Sequence, residues 1–304
     1  MESMYNINTK STLITLCLLI MAFTANAFTS GPIRYEKVPT EGLLGLFEER
    51  EAIVHSTTQE ITGDIAIPYN VSRSLTNWKI TAIREYAFQN CKLTGIELSP
   101  ALRTIGQWAF YDCTRLKSVK TKRGLKFIEN NAFNGCRSLE TFVFPESLKL
   151  IGEHAFRNCE SLQSVELYDE LTSIREWAFY GCKSLSSVSI KSPIIEISAG
   201  CFSFCSSLKE ITLPRSVRTI RQSAFEYSGL EVVHMDKFVN KIENLAFAST
   251  NLHTIYLHAP VPPEASFIVM NGCPERITLH VPAGSKHAYN AHPYWSQFII
   301  VADL

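Results

Sequence analysis

The chain has 304 residues, 46% of them apolar, with 29 basic and 29 acidic side chains and a formal net charge of zero. Such a chain can bury a sizeable core, and it shows no basic excess that would point to nucleic acid or anionic lipid.

Residues 1–27 hold Lys10, an apolar run from Leu13 to Phe23, and Ala25-Asn26-Ala27. This order predicts a secretory signal peptide cut after Ala27, and the run is too short for a good membrane span. Cys17 follows Ile14-Thr15-Leu16 rather than the small residues expected before a lipid-attachment cysteine. No second hydrophobic span follows, so the expected product is soluble or peripherally held outside the cytoplasm, whether secreted, periplasmic or at the cell surface.

Residues 28–78 are read as an amino-terminal cap with a leading rung. Gly63-Asp64-Ile65-Ala66-Ile67-Pro68 matches the strand half of the repeat that follows, and Tyr35–Val38 and Ala52–His55 are expected to lay extra strands over its open face. Asn70-Val71-Ser72 fits a glycosylation acceptor, a motif common by chance.

Residues 79–258 repeat with a period of 22 or 23. Phenylalanine holds one phase at Phe88, Phe110, Phe133, Phe156, Phe179, Phe202, Phe225 and Phe247, with isoleucine five residues before each, from Ile83 to Ile242. Alanine precedes each ring except at Cys201, and cysteine follows three later from Cys91 to Cys205 before Ser228 and Thr250 take the slot. Then comes Leu-x-x-apolar-x-apolar, as in Leu162, Val165 and Leu167, with Thr121 the polar break in the last column. This alternation reads as a short strand, often closed by proline at Pro100, Pro145 or Pro214. Ala, Phe and Cys at i, i+1 and i+4 suit a single helical turn facing inward. A period in this range means stacked units that bury a core only between neighbours.

Residues 259–304 carry a degenerate last rung and a carboxy-terminal cap. Cys273 continues the cysteine phase, Met270 replaces the phenylalanine, Arg276 takes the leucine slot, and Leu279, Val281 and Pro282 complete the strand. Ser285 is placed to cap a short helix through Asn290, Pro293 to break it, and Tyr289, Trp295 and Phe298 to cover the array.

The unit of isoleucine, Ala-Phe, Cys and Leu-x-x-Val-x-Leu-Pro resembles the BspA-like, or Treponema pallidum type, leucine-rich repeats over Ile65 to Val281. The ending VPAGSKHAY with Trp295 and Phe298 is similar to secreted members from the Bacteroides group. The resemblance implies a leucine-rich-repeat solenoid, a curved stack of about nine to ten short parallel strands with one-turn helices, capped at both ends. It also implies a surface or secreted protein, with some members adhering to matrix proteins or cells, and it offers no catalytic residues.

The residues agree on chemistry. There is no Gly-rich phosphate loop, HExxH, Gly-x-Ser-x-Gly or CxxC pair, so neither an enzyme nor a cofactor is expected. The cysteines, eight beyond Cys17, read as buried free thiols, because their slot also accepts Ser228 and Thr250; Cys201 and Cys205 are the pair best placed for a bridge.

Binding is expected on the outward strand face, where side chains alternate away from the core. One outward column runs Glu97, Lys120, Val143, Glu166, Ser189, Thr212, His234, Tyr256 and His280, and the next includes Tyr168, Asp236 and His258. His234, Tyr256, His258 and His280 form the first candidate site, suited to stacking on a sugar or an aromatic side chain; Lys120, Glu166 and Tyr168 come next. Imidazoles titrate near pH ~6.5, which would make attachment pH-sensitive. Zinc is disfavoured, because His234 and His280 should stand about 10 Å apart across two strand spacings. The expected function is protein interaction or adhesion, with a protein or glycan partner on a host or neighbouring cell. The alternative is an extracellular scaffold without a dedicated ligand.

Overall fold

The computed structural model describes residues 27–30, 33–37, 51–57, 61–73 and 76–304. The predicted signal peptide apart from Ala27, its Cys17, and Val38 lie outside them. The chain winds into a β-solenoid of about ten turns with mostly parallel strands. Each rung has a long strand, a short strand and a run of turns.

The long strands are the Leu-x-x-Val-x-Leu segments. They pair in parallel, rung to rung, as Ser164–Leu167 does with Ser187–Ile190 and Val232–Met235 with Thr254–Leu257. The leading rung is Thr62–Ala66, parallel to Lys92–Glu97. Sequence reading did not foresee the short strands, which hold only two residues each and end on the isoleucine column, as Leu150–Ile151 and Ser173–Ile174 do. At the head of this short-strand sheet, Ile33–Lys37 pairs antiparallel with Glu51–Thr57, which runs parallel to Thr76–Ile83.

The phenylalanine-bearing segment is a chain of linked turns, and here the expected helical turn is corrected. Ala132, Asn134 and Cys136 donate to carbonyls three residues back, while Asn131, Phe133 and Gly135 donate to Glu153, Ala155 and Arg157 of the next rung. A helix spends every N–H along its own axis and leaves none for a neighbour; alternation satisfies both. It requires positive φ two residues before and two after the ring, as at Trp108 (57°) and Asp112 (51°), or His154 (54°) and Asn158 (56°).

Inside, eight phenylalanine rings form one column, all fully buried. Neighbours stack nearly parallel, with centroids between 4.9 Å for Phe110–Phe133 and 5.6 Å for Phe179–Phe202. The described cysteines are free. Their column also has a bonding role: Cys136 Sγ donates to the Phe110 carbonyl (3.1 Å) and Cys182 Sγ to that of Phe156 (3.3 Å), each one rung back. Thr250 Oγ1 instead reaches its own Phe247 carbonyl (2.8 Å), whereas Ser228 Oγ is buried with no partner. Thr121, the polar break, is buried and donates to the Val143 carbonyl.

At the far end Tyr289 and Trp295 are fully buried, with Tyr289 OH donating to the Ala259 carbonyl and Trp295 Nε1 to that of Pro263, both at 2.8 Å. The helix Lys286–Ala291 starts at Ser285, whose hydroxyl makes no cap bond, contrary to expectation. Arg276 is exposed, and the adjacent Ile277 turns into the core in its stead. A strand absent from the sequence reading, Ile299–Ala302, pairs with Thr278–Val281 and closes the long-strand sheet.

The short-strand sheet is broken once, between Ser173–Ile174 and Glu196–Ile197. Neighbouring rungs turn this corner with a bond such as Leu171 to the Tyr168 carbonyl or Val217 to that of Pro214, both 3.0 Å. No such bond links Ile194 to Lys191, where Pro193 holds the slot of Glu170 and Ser216.

Candidate functional site

Parallel pairing in register brings the first candidates together. His234 stands opposite Tyr256, and Tyr256 opposite His280. Their rings stack at 4.5 Å and 3° for His234–Tyr256, and at 4.6 Å and 20° for Tyr256–His280. All three are half-exposed. A carboxylate holds each end of the row: Glu210 Oε1 lies 3.0 Å from His234 Nε2, and Asp303 Oδ1 lies 2.9 Å from His280 Nδ1. Carboxylates accept only, so these two nitrogens donate, which fixes the tautomer of each neutral ring.

The stacking changes what the site can do. Both faces of Tyr256 are covered by imidazoles, so a ligand meets ring edges, the Tyr256 hydroxyl and His280 Nε2 rather than a flat platform. Edges of this kind offer directed hydrogen bonds to hydroxyl, amide or carboxylate groups. His258 is exposed beyond the end of the strand Thr254–Leu257 and takes no part in the stack.

The remaining candidates lie elsewhere on the same sheet. Glu166 pairs with Lys191 at 2.7 Å, and the Lys191 ammonium sits 5.1 Å above the Tyr168 ring. Lys191 first and the Tyr168 hydroxyl second hold the Glu166 carboxyl below its ordinary range, while Glu166 raises both partners. Lys120 is exposed opposite Glu97, whose carboxyl is lowered chiefly by Lys122 at 2.9 Å.

Sequence reasoning missed Glu210, Asp303 and Lys191. Glu210 was visible in an outward column, two places from the residue opposite His234; Asp303 was not, because it depends on the unforeseen final strand. Among the described residues no three His, Cys, Asp or Glu side chains gather closely enough to hold a metal ion. Nor is any described helix long and apolar enough to cross a membrane.

The solenoid is similar to a leucine-rich repeat protein from Bacteroides ovatus, at 22% identity and a TM-score of 0.60, over 91% of this chain and 76% of that one. It is also similar to a leucine rich cell surface protein from Faecalibacterium prausnitzii, at 23% identity and a TM-score of 0.54, over 85% of this chain and 71% of that one. These likenesses bear on the fold. No curated protein matches the sequence. The BspA type leucine rich repeat region matches in six copies over residues 71–149 and 126–253, together more than half of the chain. On that match the chain belongs to the BspA-type leucine-rich repeat family, which points to a protein-interaction or surface module.

Proposed function

We propose that this protein is a secreted or cell-surface adhesion module that binds a protein or glycan partner on a host or neighbouring cell through its long-strand face. The observation that carries the reading is the row Glu210, His234, Tyr256, His280 and Asp303. Its rings point away from the core, and no packing column requires them. Polar aromatic groups held rigid by their neighbours lose little freedom on binding, which favours them as contact residues. His258 borders the row, and Lys120, Glu166 and Tyr168 extend the surface along the same sheet. The signal peptide predicted in residues 1–27 supports export, and an intact mass beginning at Phe28 is the expected sign of its removal.

The test is a binding screen of the mature protein against matrix proteins and a glycan array, followed by the variant with His234, Tyr256, His258 and His280 all changed to alanine. Binding should weaken at least about tenfold, as for loss of central contacts. Undiminished affinity would move the site to Lys120, Glu166 and Tyr168.

A further inference from the structure

We propose that the turn side of the solenoid carries a second binding site, where the open face of Tyr227 stacks one pyranose ring of a neutral, β-linked oligosaccharide. The site lies away from the long-strand face and does not depend on that face binding anything.

The position two residues after each core phenylalanine has positive φ, and most rungs meet this demand with Asn90, Asp112, Gly135, Asn158, Gly181 or Ser249. Two neighbouring rungs instead place Phe204 (59°) and Tyr227 (56°) there. A bulky residue at such φ is strained, and strain kept in a fold points to function. Neither ring is spent on the core, for they are 40% and 50% exposed. They are nonetheless held. The Arg157 guanidinium sits 4.7 Å above the Tyr180 ring, Tyr180 lies 5.1 Å from Phe204 at 55°, and Phe204 stacks on Tyr227 at 4.8 Å and 26°. Both backbones are pinned to the following rung, Phe204 N–H to the Glu226 carbonyl and Tyr227 N–H to that of Ala248, each at 2.9 Å. A ring braced in this way has little freedom left to lose on binding.

The row then stops at a step. Ser249 follows Tyr227 in the column and Gly272 follows Ser249, so the face of Tyr227 turned away from Phe204 meets no further ring among the described residues. Successive rings here stand one rung apart, so the place above Ser249 is as thick as one flat ring. A pyranose fits it. In a β-linked glucose-type sugar the C–H bonds are axial and their positive hydrogens meet the negative face of the tyrosine, while the hydroxyls lie around the rim. Polar groups stand at that rim. Glu226 holds in its rung the place from which Tyr180 reaches Phe204, so its counterpart neighbour one rung on is Ser249. Asn271, whose carbonyl accepts from the Ser249 N–H (2.8 Å), is exposed, as is Asn251 two residues past Ser249. A carboxylate and two carboxamides accept from and donate to sugar hydroxyls, and the carboxylate disfavours an acidic sugar. A protein partner fits less well, since a standard interface takes about 800 Å² from each side and this step offers one ring.

The test titrates the full chain with cellotetraose, a β-1,4-linked glucose tetrasaccharide, by isothermal titration calorimetry. Saturable binding is expected, with the acidic tetragalacturonate weaker by at least about tenfold. Tyr227→Asn restores the residue type of Asn90 and Asn158. It should weaken binding at least about tenfold while the melting temperature stays level or rises, because asparagine tolerates the left-handed position. Ser249→Tyr sets a further ring where the sugar stacks, in a column that already accepts Tyr227, and should weaken binding by a similar factor of about ten. The alanine variant of the His234, Tyr256, His258 and His280 row should bind the tetrasaccharide as the native chain does. Absence of saturable binding, equal binding of the acidic sugar, indifference to either substitution, loss of binding in the row variant, or a fall in melting temperature for Tyr227→Asn would overturn the proposal; the last would mark the ring as a part of the fold.

Discussion

Two aromatic ladders run along this solenoid. The phenylalanine ladder is fully buried and continuous over eight rungs, with centroids 4.9 to 5.6 Å apart. The His234–Tyr256–His280 ladder is half-exposed, spans three rungs and stacks more tightly, at 4.5 and 4.6 Å. Both arise from the same cause, since in-register repetition places any residue beside its counterpart one rung on. They differ in what holds them. The inner rings are fixed by exclusion of water and by packing on every side, and the outer ones by each other and by a carboxylate at either end. A repeat thus makes a stack wherever like residues recur, but only burial makes that stack indispensable.

The largest effect expected from breaking this contrast is at Phe156, between the rings of Phe133 and Phe179. Phe156→Ala should cost about 3 to 5 kcal/mol in urea denaturation, through lost burial and a cavity that rigid neighbours cannot close. A cost under about 1 kcal/mol would show that the ring is not a core element. Because the short-strand sheet is interrupted beyond Ile174, the same variant should unfold in two steps that separate residues before and after the break.

Next come the thiols that bond to the backbone of the inner ladder. Cys182→Ala deprives the Phe156 carbonyl of one of its two donors, the other being the Cys159 N–H, and should cost about 1 to 2 kcal/mol. Burial pushes the Cys205 thiol up to about 12, so in native protein near pH 8 Cys205 should resist thiol reagents, and the partly exposed Cys91 and Cys273 should be labelled before it. After unfolding, the mature chain should yield eight free thiols, matching its free cysteines. Bridged cysteines in a peptide map would overturn that.

The outer ladder should behave in the opposite way. Changing His234, Tyr256 and His280 together to alanine should remove no more than about 1 kcal/mol per cross-strand pair. A drop in melting temperature as large as that of Phe156→Ala would mean the two ladders are energetically alike.

The smallest effect is at His154, an intermediate case whose ring stacks on Trp177 at 6.5 Å and whose buried Nδ1 has no partner. Burial, and then Arg157, lower its affinity for a proton in the folded state. The unfolded chain therefore takes up the proton first. The contribution of His154 is intact above its unfolded value of about 6.5 and fades as pH falls below it. His154→Gln should lose less stability than the native chain between about pH 7.5 and 5, and equal losses would remove His154 from the account.

The core columns were legible in the sequence because each must be filled on every rung, and the isoleucine, alanine, phenylalanine and cysteine slots tolerate few substitutes. The linked turns were not. Their left-handed positions mix glycine and asparagine, such as Asn131, Gly135 and Asn158, with Tyr86, Trp108, Trp177 and Phe204, residues that rarely adopt such φ values, so the usual signal was broken from rung to rung. Two-residue strands carry no period to read. The site was half legible: column membership brought His234, Tyr256 and His280 together, whereas the covering of their faces depends on rotamers and the last carboxylate on an unseen strand. Gly200 shows the same limit, since a Cβ there would fall 2.0 Å from the Trp177 ring, a constraint that exists only between rungs.

The alternating bonds of the turn segments have an electrostatic consequence for the whole array. On that side the N–H groups that cross to a neighbouring rung point forward, from Phe133 to Ala155 and from Phe202 to Ala224. In a parallel strand ladder alternate residues face opposite neighbours, so those peptide dipoles offset one another. The turn column is thus the side on which dipoles add along the stack, as they do along the axis of an α-helix. A cap over that side meets aligned carbonyl groups at the first rung and aligned N–H groups at the last, so it must supply polar partners there as well as apolar cover.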